Sequence, residues 1–380
     1  MRIVVDENIP YGKEAFETLG DVVLRPGRGI SKDDLKDAEL LLVRSITKVN
    51  ADLLEGTKVR FVATATIGED HVDKEYLHKK GIAFSSAPGC NANSVADYIV
   101  ATLLHLAEVR GFKLTDRKLG IVGHGNVGSK VARRARALGM QCVVNDPPLA
   151  RKTGDATFRP LDEIFDCNII TFHVPLTKTG PDATYHLVDD AFLRKIRTGT
   201  LIINTSRGSV IDGKALQAAL EDGRVGASAL DVWEGEPNID LDLFANLALG
   251  TPHIAGYSFD GKVNGTRQVY EAACAYLGVN PNWDPSLLLP APETPVVEVD
   301  GSVENAQAEL RRVVRCVYDI LRDDEALRAI IKMPAEERGP HFDRLRKEYP
   351  RRREFFNTKA VVTPSNPALE QALAGIGFTL

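Results

Sequence analysis

Leu119-Gly120-Ile121-Val122-Gly123-His124-Gly125-Asn126-Val127-Gly128 joins an apolar, strand-like run directly to the pattern G-x-G-x-x-G. Ser129 to Leu138 continue with the spacing of an amphipathic helix. In a strand–turn–helix of this kind each glycine has its own task. Gly123 permits the tight turn, Gly125 lets the backbone approach a pyrophosphate, and Gly128 allows the helix to pack closely on the strand. The helix start, at Asn126 and Val127, offers unsatisfied N–H groups and a positive dipole end to an anion. The glycines alone are a weak signal; with a strand before them and a helix after them they mark a dinucleotide site.

The next apolar run, Cys142-Val143-Val144-Asn145-Asp146, ends on a carboxylate about 20 residues beyond the glycines, where an acid is placed to bind ribose hydroxyls. A negative charge there repels the additional phosphate of NADP, and Pro147-Pro148 bring no cation to welcome it, so NAD is the expected cofactor. Further apolar runs near 168–172, 200–203 and 226–230 alternate with helical stretches, which implies a parallel sheet. The same alternation precedes the glycine motif, through Ile3-Val5, Val22-Leu24, Leu40-Val43, Phe61-Ala65 and Ile82-Phe84. A helix-compatible stretch at about 258–277 can carry the chain back onto this first sheet. The expected division is therefore a split substrate domain, 1–93 and 257–280, around a cofactor domain, 94–256.

Pro281, Pro285, Pro290, Pro292 and Pro295 then mark a linker, and 281–380 reads as a third unit. Segment 302–322 has helical apolar spacing, and Val296-Val299 and Ala360-Val362 are suited to pair as strands. A unit this small needs another surface to cover its apolar face, so an oligomer interface is expected. Its basic residues, among them Arg344, Arg346, Arg351, Arg352 and Arg353, read as a solvated face.

Composition narrows the function classes. The chain has 380 residues, 44% hydrophobic and 26% charged, with a formal charge of -5, which argues against a general nucleic-acid binder. Its apolar runs are far shorter than the ~20 residues that span a bilayer, and MRIVVDENIP does not have the order of an export signal, so no membrane role and a cytoplasmic location are expected. Five scattered cysteines, without a Cys/His cluster, point to buried thiols and to no metal.

Three motifs follow apolar strands: Asn204-Thr205-Ser206-Arg207-Gly208, Asp231-Val232-Trp233-Glu234-Gly235-Glu236-Pro237 and Thr251-Pro252-His253-Ile254-Ala255-Gly256. Open α/β sheets bind ligands at such strand ends. Arg207 presents a planar fork of donors suited to a carboxylate, and its charge polarises a neighbouring oxygen. His253 is the side chain best matched to exchanging a hydroxyl proton near neutral pH. Glu236 is the candidate to orient that ring and stabilise its charged form. Asp231 is less determined: it can meet a nicotinamide carboxamide or cap the loop. His173 ends a strand, whereas His71, His78, His105 and His186 have no such company.

GHGNVG, HVPLT, NTSRG, LDVWEGEP and TPHIAG, in this order, resemble the D-isomer-specific 2-hydroxyacid dehydrogenase family over about residues 1–280. That resemblance implies an α/β architecture. A Rossmann-type NAD domain is inserted in a flavodoxin-like parallel-sheet substrate domain, followed by a small C-terminal α+β dimerisation domain. It implies catalysis by Arg207, Glu236 and His253, and cofactor contacts from Gly123, Gly125, Asn126, Val127, Gly128, Asp146, Ser206, Asp231 and Gly256.

The stretches Ser86-Ala87-Pro88-Gly89-Cys90-Asn91-Ala92-Asn93-Ser94-Val95, Asp146-Pro147-Pro148 and His253-Ile254-Ala255-Gly256-Tyr257 resemble one branch of that family. Its substrate is a small 2-hydroxy acid that also carries a terminal phosphate, and its subunits form a homodimer. By position, Ser45, Thr66 and Tyr257 would contact the substrate, and Arg44 either balances the phosphate or forms a structural ion pair. Glu69 and Asp70 are expected to point away from a phosphorylated acid. Two other readings fit the motifs: another family member such as a 3-phosphoglycerate dehydrogenase, and a non-catalytic NAD(H) sensor.

Overall fold

The computed structural model describes residues 1–380. The chain forms two compact units, Met1–Asn91 with Ser258–Ala291, and Ala92–Tyr257 with Pro292–Leu380.

In the first unit five parallel strands, β1 (Arg2–Asp6), β2 (Asp21–Arg25), β3 (Leu40–Val43), β4 (Phe61–Thr64) and β5 (Ala83–Ser85), lie in the order β2-β1-β3-β4-β5. This is the flavodoxin-like order. Alternate residues of a strand face opposite sides, so Ile3, Val5, Leu40 and Leu42 enter one core while Val4, Leu41 and Val43 enter the other. The first core is closed by Val269, Tyr270 and Ala273 of the helix Phe259–Leu277, the expected return of the chain. Ser258 caps that helix by accepting a hydrogen bond from the Gly261 N–H at 2.8 Å.

The second unit is built on β6 (Lys118–Val122), β7 (Gln141–Asn145), β8 (Ile169–Phe172), β9 (Thr200–Asn204), β10 (Val225–Leu230) and β11 (Leu249–Gly250), in the order β11-β10-β9-β8-β6-β7. Phe158 adds a one-residue parallel bridge beside Val144 on the outer side of β7. With that bridge counted as a strand, the sheet reads 3-2-1-4-5-6-7, the Rossmann order 3-2-1-4-5-6 extended by the short β11. Strands β8 and β9 are buried along their whole length, as parallel strands covered on both faces must be.

The C-terminal segment differs from its expected form in two ways. The helix expected over 302–322 is two helices, Ala306–Val317 and Ile320–Arg328. Between them Tyr318 takes an extended backbone and Asp319 caps the second helix through the Leu321 N–H. The segment also packs against the rest of the second unit. Strands β12 (Val296–Asp300) and β13 (Lys359–Thr363) pair in parallel, as expected. The helices around them send Leu310, Val313, Val314, Leu369, Leu373 and Ile376 into one core with Ile99 and Leu103 of Ala92–Arg110 and Val131 and Ala135 of Asn126–Ala137. Burying a Leu, Ile or Val side chain is worth about 1.5–3 kcal/mol, so this face is satisfied within its own chain.

The arginines of this segment are correspondingly not all solvated: Arg352 and Arg353 are each 8% exposed. Arg352 donates to the Ala255 carbonyl at 2.6 Å and lies over the Tyr318 ring at 4.2 Å. No helix is long and apolar enough to cross a membrane.

Candidate active site

Because β6, β8, β9, β10 and β11 are parallel, the loops after them leave from one edge of the sheet, and these loops carry every motif of the second unit. After β6, Gly123 has φ +92, a conformation open to glycine, and a Cβ on Gly128 would overlap the Gly123 carbonyl oxygen. Gly125 differs from both, because nothing lies within 4 Å of where its Cβ would be. The helix Asn126–Ala137 begins there without a side-chain cap, so its first N–H groups, at exposed Asn126 and half-buried Val127, face open space. That cradle fits the diphosphate of a dinucleotide.

Asp146 directly follows β7 and ties two elements together, accepting from the His124 N–H at 2.7 Å and, as a helix cap, from the Leu149 N–H at 2.9 Å. A carboxylate has about four acceptor sites, so these bonds orient Asp146 without exhausting it. His173 follows β8, with its ring between Thr171 and Thr205. Burial pushes that imidazole down to about 3, so it is neutral at physiological pH.

The Arg207 loop is held by a residue that motif reading passed over. Asn204, fully buried at the end of β9, accepts from the Ser206 N–H and hydroxyl at 3.0 and 2.7 Å and donates to the Arg207 carbonyl at 2.9 Å. The Ser206 hydroxyl thus faces Asn204, while Arg207 Nη1 donates to the Ser206 carbonyl at 2.8 Å. The loop lies so close to the β10 loop that a Cβ on Gly208 would overlap the Trp233 carbonyl. Gly208→Ala must therefore displace the loops bearing Arg207 and Glu236, costing about 1–3 kcal/mol and most of the turnover. Denaturant unfolding and kcat, measured together, test this; unchanged values for both would refute the close approach.

Glu236 and His253 meet directly. His253 Nδ1 lies 2.8 Å from Glu236 Oε2, and Glu236 Oε1 accepts from the Trp233 N–H at 2.7 Å. Burial by itself pushes the Glu236 carboxyl up. The His253 charge and hydrogen bond, the Trp233 N–H and the more distant Arg346 charge outweigh burial and hold the carboxyl below its ordinary value. With Nδ1 engaged, Nε2 is the ring nitrogen presented for proton exchange.

His253 has φ +58, which few non-glycine residues adopt. Asp231 explains how it persists: its carbonyl accepts from the His253 N–H at 2.7 Å, and its carboxylate accepts from the Ile254 and Ala255 N–H groups and the Thr251 hydroxyl at 2.7, 3.0 and 2.7 Å. Asp231 is 1% exposed, and these four bonds hold the loop that carries His253. Gly256 follows, half-buried.

In the first unit, Ser45 and Thr66 each lie two residues beyond Val43 and Thr64, a paired position of neighbouring β3 and β4, so both sit at one edge of that sheet. Ser45 is exposed, and Thr66 exchanges hydrogen bonds with Thr64 and Gly68. Arg44 is the structural ion pair, its Nε 3.0 Å from Asp6 Oδ2. Glu69 is engaged by Ser86 and Lys74, each at 2.7 Å.

In the second unit, Tyr257 Oη accepts from Arg346 Nη2 at 3.0 Å, and its ring meets Tyr349 edge-on. Two residues set aside in the sequence thus gain partners: Arg346, and His186, whose Nε2 lies 2.7 Å from Glu234 Oε1.

Residues 97–255 match the family model described as D-isomer specific 2-hydroxyacid dehydrogenase, NAD binding domain, and residues 288–377 match a domain of unknown function, DUF3410. A D-lactate dehydrogenase structure from Aquifex aeolicus, complexed with NAD and lactic acid, is similar with a TM-score of 0.61 and 25% identity, covering 73% of this chain and 96% of that one. An NAD+-bound 3-phosphoglycerate dehydrogenase from Entamoeba histolytica gives a TM-score of 0.62 and 25% identity, covering 73% and 95%. Fold and motifs thus define an NAD-dependent dehydrogenase of the D-2-hydroxyacid class.

The erythronate-4-phosphate dehydrogenase of Cronobacter sakazakii is 46% identical over 379 residues, 100% of this chain and 98% of its own. That of Salmonella arizonae is 47% identical over 356 residues, 93% and 92% of the two chains. The chain belongs to the erythronate-4-phosphate dehydrogenase family.

Proposed function

We propose that the chain oxidises the C2 hydroxyl of 4-phospho-D-erythronate to give 2-oxo-3-hydroxy-4-phosphobutanoate, within pyridoxal 5'-phosphate biosynthesis. The observation that carries the chemistry is the 2.8 Å bond between His253 Nδ1 and Glu236 Oε2 in a loop held by Asp231. His253 Nε2 takes the hydroxyl proton as the C2 hydrogen leaves. Glu236 fixes the ring tautomer and stabilises the imidazolium that forms. The Arg207 fork holds the substrate carboxylate and polarises the C2 oxygen. Bound NAD supplies the acceptor for the hydride.

Ser45, Thr66 and Tyr257 are the proposed substrate contacts. The proposed cofactor contacts are Gly123, Gly125, Asn126, Val127, Gly128, Asp146, Ser206, Asp231 and Gly256. In the reverse direction His253 returns the proton to the 2-oxo acid.

The deciding experiment follows NADH formation from 4-phospho-D-erythronate, with and without a 2-oxo acid acceptor, beside unphosphorylated erythronate and the reduction of 3-phosphohydroxypyruvate. Preference for the four-carbon phosphate supports the assignment, while preference for 3-phosphohydroxypyruvate replaces it. We also propose a cytoplasmic homodimer formed through the C-terminal segment; the resemblance to the dimeric branch of the family supports it, since the apolar face that first suggested it is covered within the chain. Sedimentation as a monomer at micromolar concentration would remove the dimer.

The Glu236–His253 pair has a pH signature. A carboxyl lowered in the folded state adds stability above its unfolded value, near 4.3, and loses it as pH falls through the folded value. Glu236→Gln should therefore flatten the acid limb of stability below about pH 5, read from denaturant midpoints across that limb. An unchanged limb contradicts the depressed carboxyl.

A further inference from the structure

A doubly anionic substrate needs a cation at each end, and the Arg207 fork can serve only one of them. Two other arginines adjoin residues proposed to touch the substrate. Arg44, beside Ser45, is already neutralised by Asp6 at 3.0 Å, a residue with no exposure. Arg346 is in the opposite situation. It pairs with no carboxylate; Nη2 donates to the neutral Tyr257 hydroxyl at 3.0 Å, and the guanidinium carbon lies 5.7 Å from the Tyr257 ring centroid. Its Nε is buried and has no hydrogen-bond partner. The half-buried guanidinium is held charged by the field of Glu236 and Asp231 without a bonded carboxylate, which leaves its Nε–H as a donor for an anion.

The nearby carboxylates are already engaged. Glu236 is bound by the Trp233 N–H and His253, and Asp231 by Thr251, Ile254 and Ala255. Arg346 is nonetheless near enough to Glu236 for its charge to bear on that carboxyl, which puts it beside the proton-transfer pair.

We infer that Arg346, together with the Tyr257 hydroxyl, holds the terminal phosphate of the substrate, an assignment that rests on the phosphorylated 2-hydroxy acid proposed above. Tyr257, already proposed as a substrate contact, places its hydroxyl directly against that guanidinium. The C-terminal helix Ala335–Lys347 thereby supplies a specificity-determining residue to the site of its own chain.

The test compares the wild type with Arg346→Gln, Arg346→Lys and Tyr257→Phe, each loaded with NAD. Turnover is measured on 4-phospho-D-erythronate and on unphosphorylated erythronate, and inorganic phosphate is titrated calorimetrically. Arg346→Gln should lower kcat/KM on the phosphorylated acid about 100-fold, mainly through KM, and weaken inorganic phosphate binding in parallel, with a much smaller loss on unphosphorylated erythronate, where only the charge beside Glu236 changes. Arg346→Lys should recover part of the loss, and Tyr257→Phe should show a fall of about 10-fold on the phosphorylated acid and a smaller one on the unphosphorylated acid.

Equal losses on both acids, or phosphate binding absent from the wild type or unchanged in Arg346→Gln, would overturn the assignment. Wild type inactive on 4-phospho-D-erythronate removes the substrate reading alone, and the phosphate titration still decides the role of Arg346. Should Arg346→Gln not fold, the Lys and Phe variants carry the comparison.

Discussion

His253→Asn is expected to lower kcat by about 10²–10⁴-fold with little change in NAD affinity. Asparagine suits this test because it tolerates the left-handed backbone that His253 occupies at φ +58, so the loop should survive the replacement. An amide occupies a similar place but has no basic nitrogen to take the substrate proton, so the loss falls on the chemical step. The NAD diphosphate is proposed to sit on the glycine loop after β6, a separate part of the sheet edge. Single-turnover rates beside fluorescence titration of NAD separate the two quantities. A fall below about 10-fold would mean that another group, or water, takes the proton.

Arg207→Ala should reduce kcat/KM by about 10³-fold, with both kcat and KM affected. The side chain is proposed to hold the carboxylate in the ground state and to polarise the C2 oxygen as charge develops there. The Asn204 amide fixes the loop backbone independently of the Arg207 side chain, so truncation should leave the loop in place. Arg207→Lys should recover little, because an ammonium is a point charge and cannot form the two parallel bonds of a guanidinium. Full recovery with lysine would reduce the role to charge alone. Retained NAD binding with no turnover in Arg207→Ala separates catalysis from a pure binding function.

Much of this fold was legible in advance because its signals are local. An apolar run of four or five residues set between polar, helix-compatible stretches reads as a parallel strand wherever it occurs, and β1, β3, β4, β6 and β9 are such runs, β6 alone running straight into a turn glycine, Gly123. The break at Tyr318–Asp319 was not legible. The apolar spacing continues across it, and only the burial of Tyr318 and the Asp319 cap stop the helix. Asp146 had two readings, ribose ligand and turn residue, and its geometry accommodates both: two acceptor sites bind the backbone and others remain. His186 was discounted for lack of company, yet Glu234, distant in sequence, supplies it.

The sequence by itself pointed to the dinucleotide loop, the succession of strands along the chain and Arg207, Glu236 and His253 as candidates. Each depends on residue type and short spacing, and a glycine turn or a strand-end arginine means much the same in any chain. Tertiary structure alone decided that the C-terminal segment packs into the second unit, that Arg44 is taken by Asp6, and that Arg346 stands against Tyr257 with no carboxylate of its own. In the sequence Arg346 sits in a basic run indistinguishable from a solvated surface. Its meaning comes from which distant side chains surround it, and no local pattern encodes that, because burial and charge pairing are properties of the packed chain.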